Sequence, residues 1–371
     1  MFKRTLVFPH QRIVIHSLQY ETPHKKNCLL LNWQFIILTR IAIIGAGLSG
    51  LTAAQFLKDF ADITIFDKSR GTGGRMATRR AAPYSFDHGT QFFTAKSEAF
   101  QSFITPLINA GVIVRWDARF AQIEINKITS QSIWSGEHPH YVGTPSMNTI
   151  GKYLSSELNI KLNTRIAKIK KTSEWQLWDD KNKSQGSYDW VITTTPASQA
   201  LELVPEWVCF HPKIKEVKMK ACFSLMLGFN EALPLKFDAA HIIGRDISWI
   251  TVNSSKPRRP DNFSLLIHST NDWADAHIDD NRKFIEEHLC DETSEAIGHN
   301  MLKAAHRAIH GWRFANIDKS NDETCHVDPD AQIAACGDWC IQGRIEAAFR
   351  SGHELATCLL QKMGPTGGIN A

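Results

Sequence analysis

Two glycine clusters with Asp67 between them carry the clearest chemistry in this 371-residue chain. The first, Gly45-Ala46-Gly47-Leu48-Ser49-Gly50, has GxGxxG spacing. Asp67 follows twenty-two residues after Gly45, and the stretch DKSRGTGGRMATRR then places Gly73 and Gly74 directly before Arg75. These residue types suit a diphosphate-bridged dinucleotide. Gly45 permits a tight turn, Gly47 lets the backbone approach a pyrophosphate, and Gly50 lets a helix sit close to its strand. Leu48 and Ser49 open that helix, whose free N–H groups and partial positive charge face phosphate. Asp67 would accept hydrogen bonds from a ribose, while the basic residues beside it, Lys68 first, leave a 2′-phosphate open.

Elements must hold these residues in place. Residues 41–44 are continuously apolar, as a parallel strand buried on both faces requires. A helix is expected through Leu57, and a second strand over residues 63–66 ends at Asp67. Strand, glycines, helix, strand and terminal acid in this register form a Rossmann-like unit. Near the other end, residues 333–335 read as a short strand before Cys336-Gly337-Asp338-Trp339, with a helix from about Arg344. Apolar Ile345, Ala348, Phe349, Leu355 and Leu359 keep rough helical spacing in that helix.

Composition narrows the partners. The formal charge of +4 is uneven: residues 1–40 carry +5 and residues 41–371 carry −1. A near-neutral body argues against nucleic acid. The apolar run over residues 28–38 is too short to span a bilayer, so no membrane partner is expected. The eight cysteines form no CxxC pair, and CGDWC has neither redox nor usual zinc spacing, so no metal is expected. Scattered cysteines suit a reducing cytoplasm. No Ser/His/Asp or Cys/His constellation is apparent.

The spacing from Asp67 through Gly74 to Arg75 resembles the glutathione-reductase-like flavoproteins of the amine-oxidase type. That resemblance implies non-covalent FAD, with Arg75 clasping the pyrophosphate, Gly73 and Gly74 shaping the approach, and Met76 among the cofactor-binding residues. Gly337 and Asp338 resemble the C-terminal FAD motif of the same group, where the acid holds the ribityl-phosphate region. The following helix, with Arg344, Ile345 and Ala348, would face the flavin's N1–O2 edge. Five segments together are similar to the bacterial renalases: DKSRGTGGRMATRR, DHGTQFFTAK, ISWITVNSSKPRR, HGWRFA and GDWCIQGRIEAAFRSG. They run in order over residues 40–362.

The renalase resemblance implies oxidation of 2- and 6-dihydro isomers of NAD(P) back to NAD(P)+, with dioxygen reoxidising the flavin to give hydrogen peroxide. Asn253, Lys256, His310 and Arg313 are its candidate pocket residues, although His310 and Arg313 could equally form a structural pair. Asp87, Gly89 and Gln91 would lie in the turn that brings the chain over the isoalloxazine. Phe92 and Phe93 read as core before pocket. Arg70, Arg79 and Arg80 read as surface charge or ion-pair partners. A flavin amine oxidase or desaturase and a non-catalytic FAD-binding protein remain alternatives, and a covalent link through Cys340 stays open.

The expected architecture is α/β (α+β overall). A discontinuous FAD-binding domain takes residues 40–100, 141–205 and 325–365, and a substrate domain takes 101–140 and 206–324. WQLW, FSLMLGF and FSLLIH are expected to form an antiparallel sheet roofing the flavin. Residues 1–39 are expected to lie outside the fold, with translation starting near Leu38, and 366–371 to be a disordered tail. Composition leaves the oligomeric state open.

Overall fold

The computed structural model describes residues 3–8, 11–17, 33–134, 139–320 and 323–363. The tail expected at 366–371 lies outside the described residues. Two large sheets organise the rest. The first has six strands, in the spatial order Ile160–Lys161, Ala61–Phe66, Thr39–Ile44, Trp190–Thr193, Ile333–Ala335 and His326–Asp328. All neighbours are parallel except the last pair. Its central strand shows why the apolar run is unbroken. Ile41 and Ile43 enter one core while Ala42 and Ile44 enter another, so both faces are covered.

The first core is closed by the helices Leu48–Leu57, Glu98–Asn109 and Ile345–Met363. Ile104 and Leu107, from the stretch assigned to the substrate domain, pack into this core beside Phe100. Gly352 lets the last helix meet the first: a Cβ there would lie 2.3 Å from the Ser49 carbonyl oxygen. The second core gathers Trp175, Tyr188 and Phe210 under a three-stranded sheet of Ile166–Lys171, Trp175–Asp179 and Ser184–Tyr188.

The second large sheet has seven strands, in the order Lys127–Ile133, Arg119–Glu124, Ala239–Ile243, Ile247–Val252, Ser264–Ser269, Lys218–Gly228 and His306–Lys319. Phe223, Leu225 and Leu227 pack from it against Ile285 and Leu289 of the Arg282–Ile297 helix. The expected roof is corrected in two respects. WQLW belongs to the small three-stranded sheet, where Trp175 donates to the Ala331 carbonyl at 2.9 Å and is fully buried. The roof is also mixed, because Arg119–Glu124 pairs in parallel with Ala239–Ile243.

The sequence shows no periodicity over residues 1–39, yet Lys3–Phe8, Gln11–Ser17 and Trp33–Ile37 form an antiparallel sheet of their own. None of its strands is shared with the two large sheets. Among the described residues, no helix is long and apolar enough to cross a membrane.

Candidate active site

A cleft of about 2430 Å³ runs between the two large sheets. Small-molecule pockets are typically about 300–1,000 Å³, so it has room for an extended dinucleotide and a second ligand. Its floor is the first glycine cluster, and each glycine there has its own physical reason. Gly45 has φ +117°, a conformation glycine alone adopts freely. A Cβ at Gly50 would sit 2.2 Å from the Gly45 carbonyl oxygen, so that glycine closes helix onto turn and does not line the cleft. Gly47 differs from both. Its backbone is extended at φ −74°, and a Cβ there would have no neighbour within 4 Å. No protein contact demands this glycine; it keeps open the approach to the helix N-terminus.

Leu48, Ser49, Asp67 and Lys68 line the same end. Asp67 accepts from the amides of Ala46 and Ser69, both at 2.7 Å, and Lys68 donates to Gln199 at 3.1 Å. The second glycine cluster stacks directly on the first. The Gly73 amide donates to the Ala46 carbonyl at 2.8 Å, and a Cβ on Gly74 would come within 3.2 Å of the Gly47 Cα.

Arg75 then joins the two ends of the chain. Its guanidinium donates to the Ala315 carbonyl at 2.8 Å and pairs with the buried Asp338. Gly337, Asp338, Arg344, Ile345 and Ala348 line the cleft beside it, as do Gly74 and Met76. The Gly337 amide is tied to Ser351 Oγ at 2.9 Å, and the Trp339 indole to the Thr195 carbonyl at 2.9 Å. Cys340 is packed in the core and does not line the cleft, which removes the covalent link left open above.

The seven-stranded sheet supplies the roof. His310 and Trp312 project from the same face of the His306–Lys319 strand, as i and i+2 must. His88 stacks on Trp312 with centroids 5.3 Å apart and meets His310 edge-on at 5.0 Å. Its carbonyl accepts from Ser224 Oγ at 2.7 Å and Trp312 Nε1 at 2.8 Å. Farther along, Phe92 and Trp249 line the cleft with ring centroids 5.6 Å apart. Phe93 is a core residue on this edge, 6% exposed.

Burial pushes His88 from the usual 6.5 down to about 4, helped by His310 and Arg79. His268 and His310 also fall to about 4, burial leading in each, with Lys256 next for the former and Arg79 for the latter. All three imidazoles are therefore neutral near pH 7. The unfolded chain takes up protons below about 6.5 that the fold refuses until about 4, so stability is lost as pH falls across that window. The urea midpoint should accordingly drop between about pH 7 and pH 5, and the drop should shrink in His88→Gln. An unchanged drop would remove His88 from this set.

Two of the four expected pocket residues line the cleft. His310 does so as part of the aromatic cluster. Arg313 stands at its exposed edge, paired with Asp279 and not with His310. Asn253 and Lys256 are corrected: neither lines the cleft. Both turn inward to a buried carboxylate, Asp87, which also holds Arg259. The Lys256 ammonium reaches Asp87 Oδ2 at 3.4 Å and Gln91 Oε1 at 3.2 Å, and lies over the Trp116 ring at 5.7 Å. Asn253 accepts from the Asp87 amide at 3.2 Å and donates to the Ser85 carbonyl at 2.7 Å. Gly89 and Gln91 line the cleft, but the Gln91 amide is spent on the carbonyls of Asp87 and Gly89. Sequence reasoning missed His88, Trp312 and His268. Strand alternation from His310 would have found Trp312; nothing local marks the other two.

Residues 95–360 match the model of the flavin containing amine oxidoreductases, and residues 43–107 match an NAD(P)-binding Rossmann-like domain. The chain belongs to the flavin-containing amine oxidoreductase family. A candidate protoporphyrinogen oxidase from Exiguobacterium sp. 255-15 has the same fold, with a TM-score of 0.71 at 12% identity over 86% of this chain and 98% of that one. A wild-type putrescine oxidase bound to putrescine aligns with a TM-score of 0.64 at 11% identity over the same shares. The protein is therefore an FAD-dependent oxidoreductase. The open approach at Gly47, the free helix N-terminus and the Arg75–Asp338 clasp fit that cofactor. Gly47, Gly74 and Arg75 would hold its diphosphate and Asp67 its ribose.

Proposed function

We propose that this flavoenzyme oxidises 2- and 6-dihydro isomers of NAD(P) to NAD(P)+, consuming dioxygen and one proton and releasing hydrogen peroxide. The observation that carries this reading is the charge of the cleft. Its lining holds eleven Lys and Arg residues against four carboxylates, Asp67, Glu202, Asp338 and Glu346. None of the lining residues contributed by the seven-stranded sheet is acidic. A cationic amine would find no carboxylate there, whereas a dinucleotide brings phosphates that need cations.

FAD, when bound, supplies the hydride acceptor and passes the electron pair to dioxygen. The chain's own residues have little proton chemistry to perform. A dihydropyridine that loses hydride becomes an aromatic cation, so no base need remove a proton. Neutral His88, His268 and His310 suit that demand, because none competes for or delivers a proton near pH 7. Trp312, Trp249 and Phe92 supply flat apolar walls that orient a planar ring and exclude water.

Oxygen uptake separates the readings. The dihydro isomers are expected to consume dioxygen with matching peroxide, while ordinary NADH and putrescine stay near background. Uptake driven by putrescine alone would establish an amine oxidase instead. Silence with every reductant would leave a flavin-binding protein without turnover.

A further inference from the structure

Arg79 departs from the surface role its sequence suggested. It lines the cleft, is half-buried, and has no carboxylate or side-chain hydrogen-bond partner among the described residues. An unpaired guanidinium held partly out of water is costly unless something absent from the protein meets it. Its neighbour Arg80 also lines the cleft but is exposed.

The position of Arg79 follows from a short hairpin. Arg79 pairs with Phe86 across the strands Arg79–Ala81 and Tyr84–Phe86. One residue on either side, Thr78 Oγ1 donates to Asp87 Oδ1 at 2.7 Å, so the hairpin is pinned to the buried Asp87. His88 comes next, stacked on Trp312 and edge-on to His310. The positive charge of Arg79 reaches both imidazoles and helps hold them neutral. Arg79 thus stands beside the aromatic roof, whereas Arg75 is committed to Asp338 and Ala315 at the cofactor end.

We propose that Arg79 is the anion-binding residue for the substrate, taking a phosphate of the dihydronicotinamide dinucleotide in its planar fork. The inference rests on the dinucleotide reading above. Guanidinium suits the task because it offers two parallel donors to one phosphate and keeps its charge at every relevant pH. It would make Arg79 a specificity-determining residue that favours dinucleotide over phosphate-free dihydronicotinamide riboside.

The test uses the FAD-loaded protein with two probes. ADP-ribose, which carries the diphosphate and no reducible ring, is titrated into wild type, Arg79→Ala and Arg79→Lys by calorimetry. Turnover is then compared for the dihydro isomers as dinucleotides and as ribosides. Arg79→Ala is expected to keep its full flavin content and to bind ADP-ribose about ten- to a hundredfold more weakly. Its dinucleotide-over-riboside preference should collapse by a similar factor, and Arg79→Lys should recover part of it. Failure of wild type to bind ADP-ribose, or unchanged affinity in Arg79→Ala, would overturn the assignment. Loss of flavin in Arg79→Ala would overturn it too, by placing the residue at the cofactor. If no dihydronicotinamide is oxidised, the substrate reading falls, yet the ADP-ribose titration still decides the anion site.

Discussion

Gly47→Val should fold and should not hold FAD. Position 47 has extended backbone, and a Cβ there would have no atom within 4 Å beyond its chain neighbours, so the protein leaves room for a branched side chain. What it would meet is the diphosphate, held off the helix N-terminus by two methyl groups. Losing two charge-assisted hydrogen bonds, at about 1.5–3 kcal/mol each, predicts at least a roughly hundredfold loss of FAD affinity. The purified variant should be colourless, with an unchanged far-ultraviolet circular dichroism spectrum. Its thermal midpoint should be that of wild-type apoprotein, since only ligand linkage is removed. Gly50→Ala is the contrasting control: its methyl would lie 2.2 Å from a backbone oxygen, so the turn itself must move. A yellow, fully loaded Gly47→Val would show that the diphosphate lies elsewhere.

The second large effect concerns Asp87, fully buried with Lys256 and Arg259. Burial alone would raise its pKa, but Lys256, Arg259 and the Met147 amide outweigh it and leave the carboxyl below 3.8. Asp87 accepts from Arg259 at 2.6 and 3.1 Å, from Thr78 at 2.7 Å and from the Met147 amide at 3.0 Å. Asp87→Asn strands two buried cations at once and should cost about 3–5 kcal/mol of unfolding free energy. The same substitution frees the hairpin that carries Arg79 and the turn that carries His88, so activity should fall with stability.

Lys256→Met should behave very differently. Burial lowers the Lys256 pKa to about 8, so its charge is carried at a cost below that pH. The unfolded chain binds that proton more tightly between about 8 and 10.5, so stability rises with pH across this window. Methionine fills similar volume and leaves the Asp87–Arg259 pair intact, so stability should change by no more than about 1–2 kcal/mol, in either direction. Flavin content and substrate KM should also hold. A large rise in KM with normal stability would return Lys256 to the substrate pocket. Urea denaturation of both variants, alongside steady-state kinetics, makes the comparison.

The nucleotide half of the cleft was legible because its demands are local. A tight turn at Gly45, an acid ending the next strand at Asp67, and glycines before Arg75 can be read from spacing alone. Gly337-Asp338 was legible for the same reason, since the turn and the helix it opens lie within a few residues. The roof was harder. Lys256 and Asn253 sit in a segment that turns inward to Asp87, and that carboxylate is more than 160 residues away in sequence. Nothing near Lys256 states whether it faces a ligand or a buried acid. Arg79 has the opposite history: it lies in a basic run, yet hairpin register and the absence of a partner set it in the cleft. WQLW has strand alternation, but alternation does not say which sheet a strand joins. Lys3–Phe8, Gln11–Ser17 and Trp33–Ile37 form a sheet without the alternation that announces one.

The proposed hydride donor is a dihydronicotinamide isomer and not an amine. Anaerobic rapid mixing of the FAD-loaded protein tests it without the oxygen step. The flavin absorbance should bleach within one turnover on adding 2- or 6-dihydro-NAD(P), and should persist with ordinary NADH and putrescine. Bleaching by putrescine while the isomers leave the flavin oxidised would contradict the account.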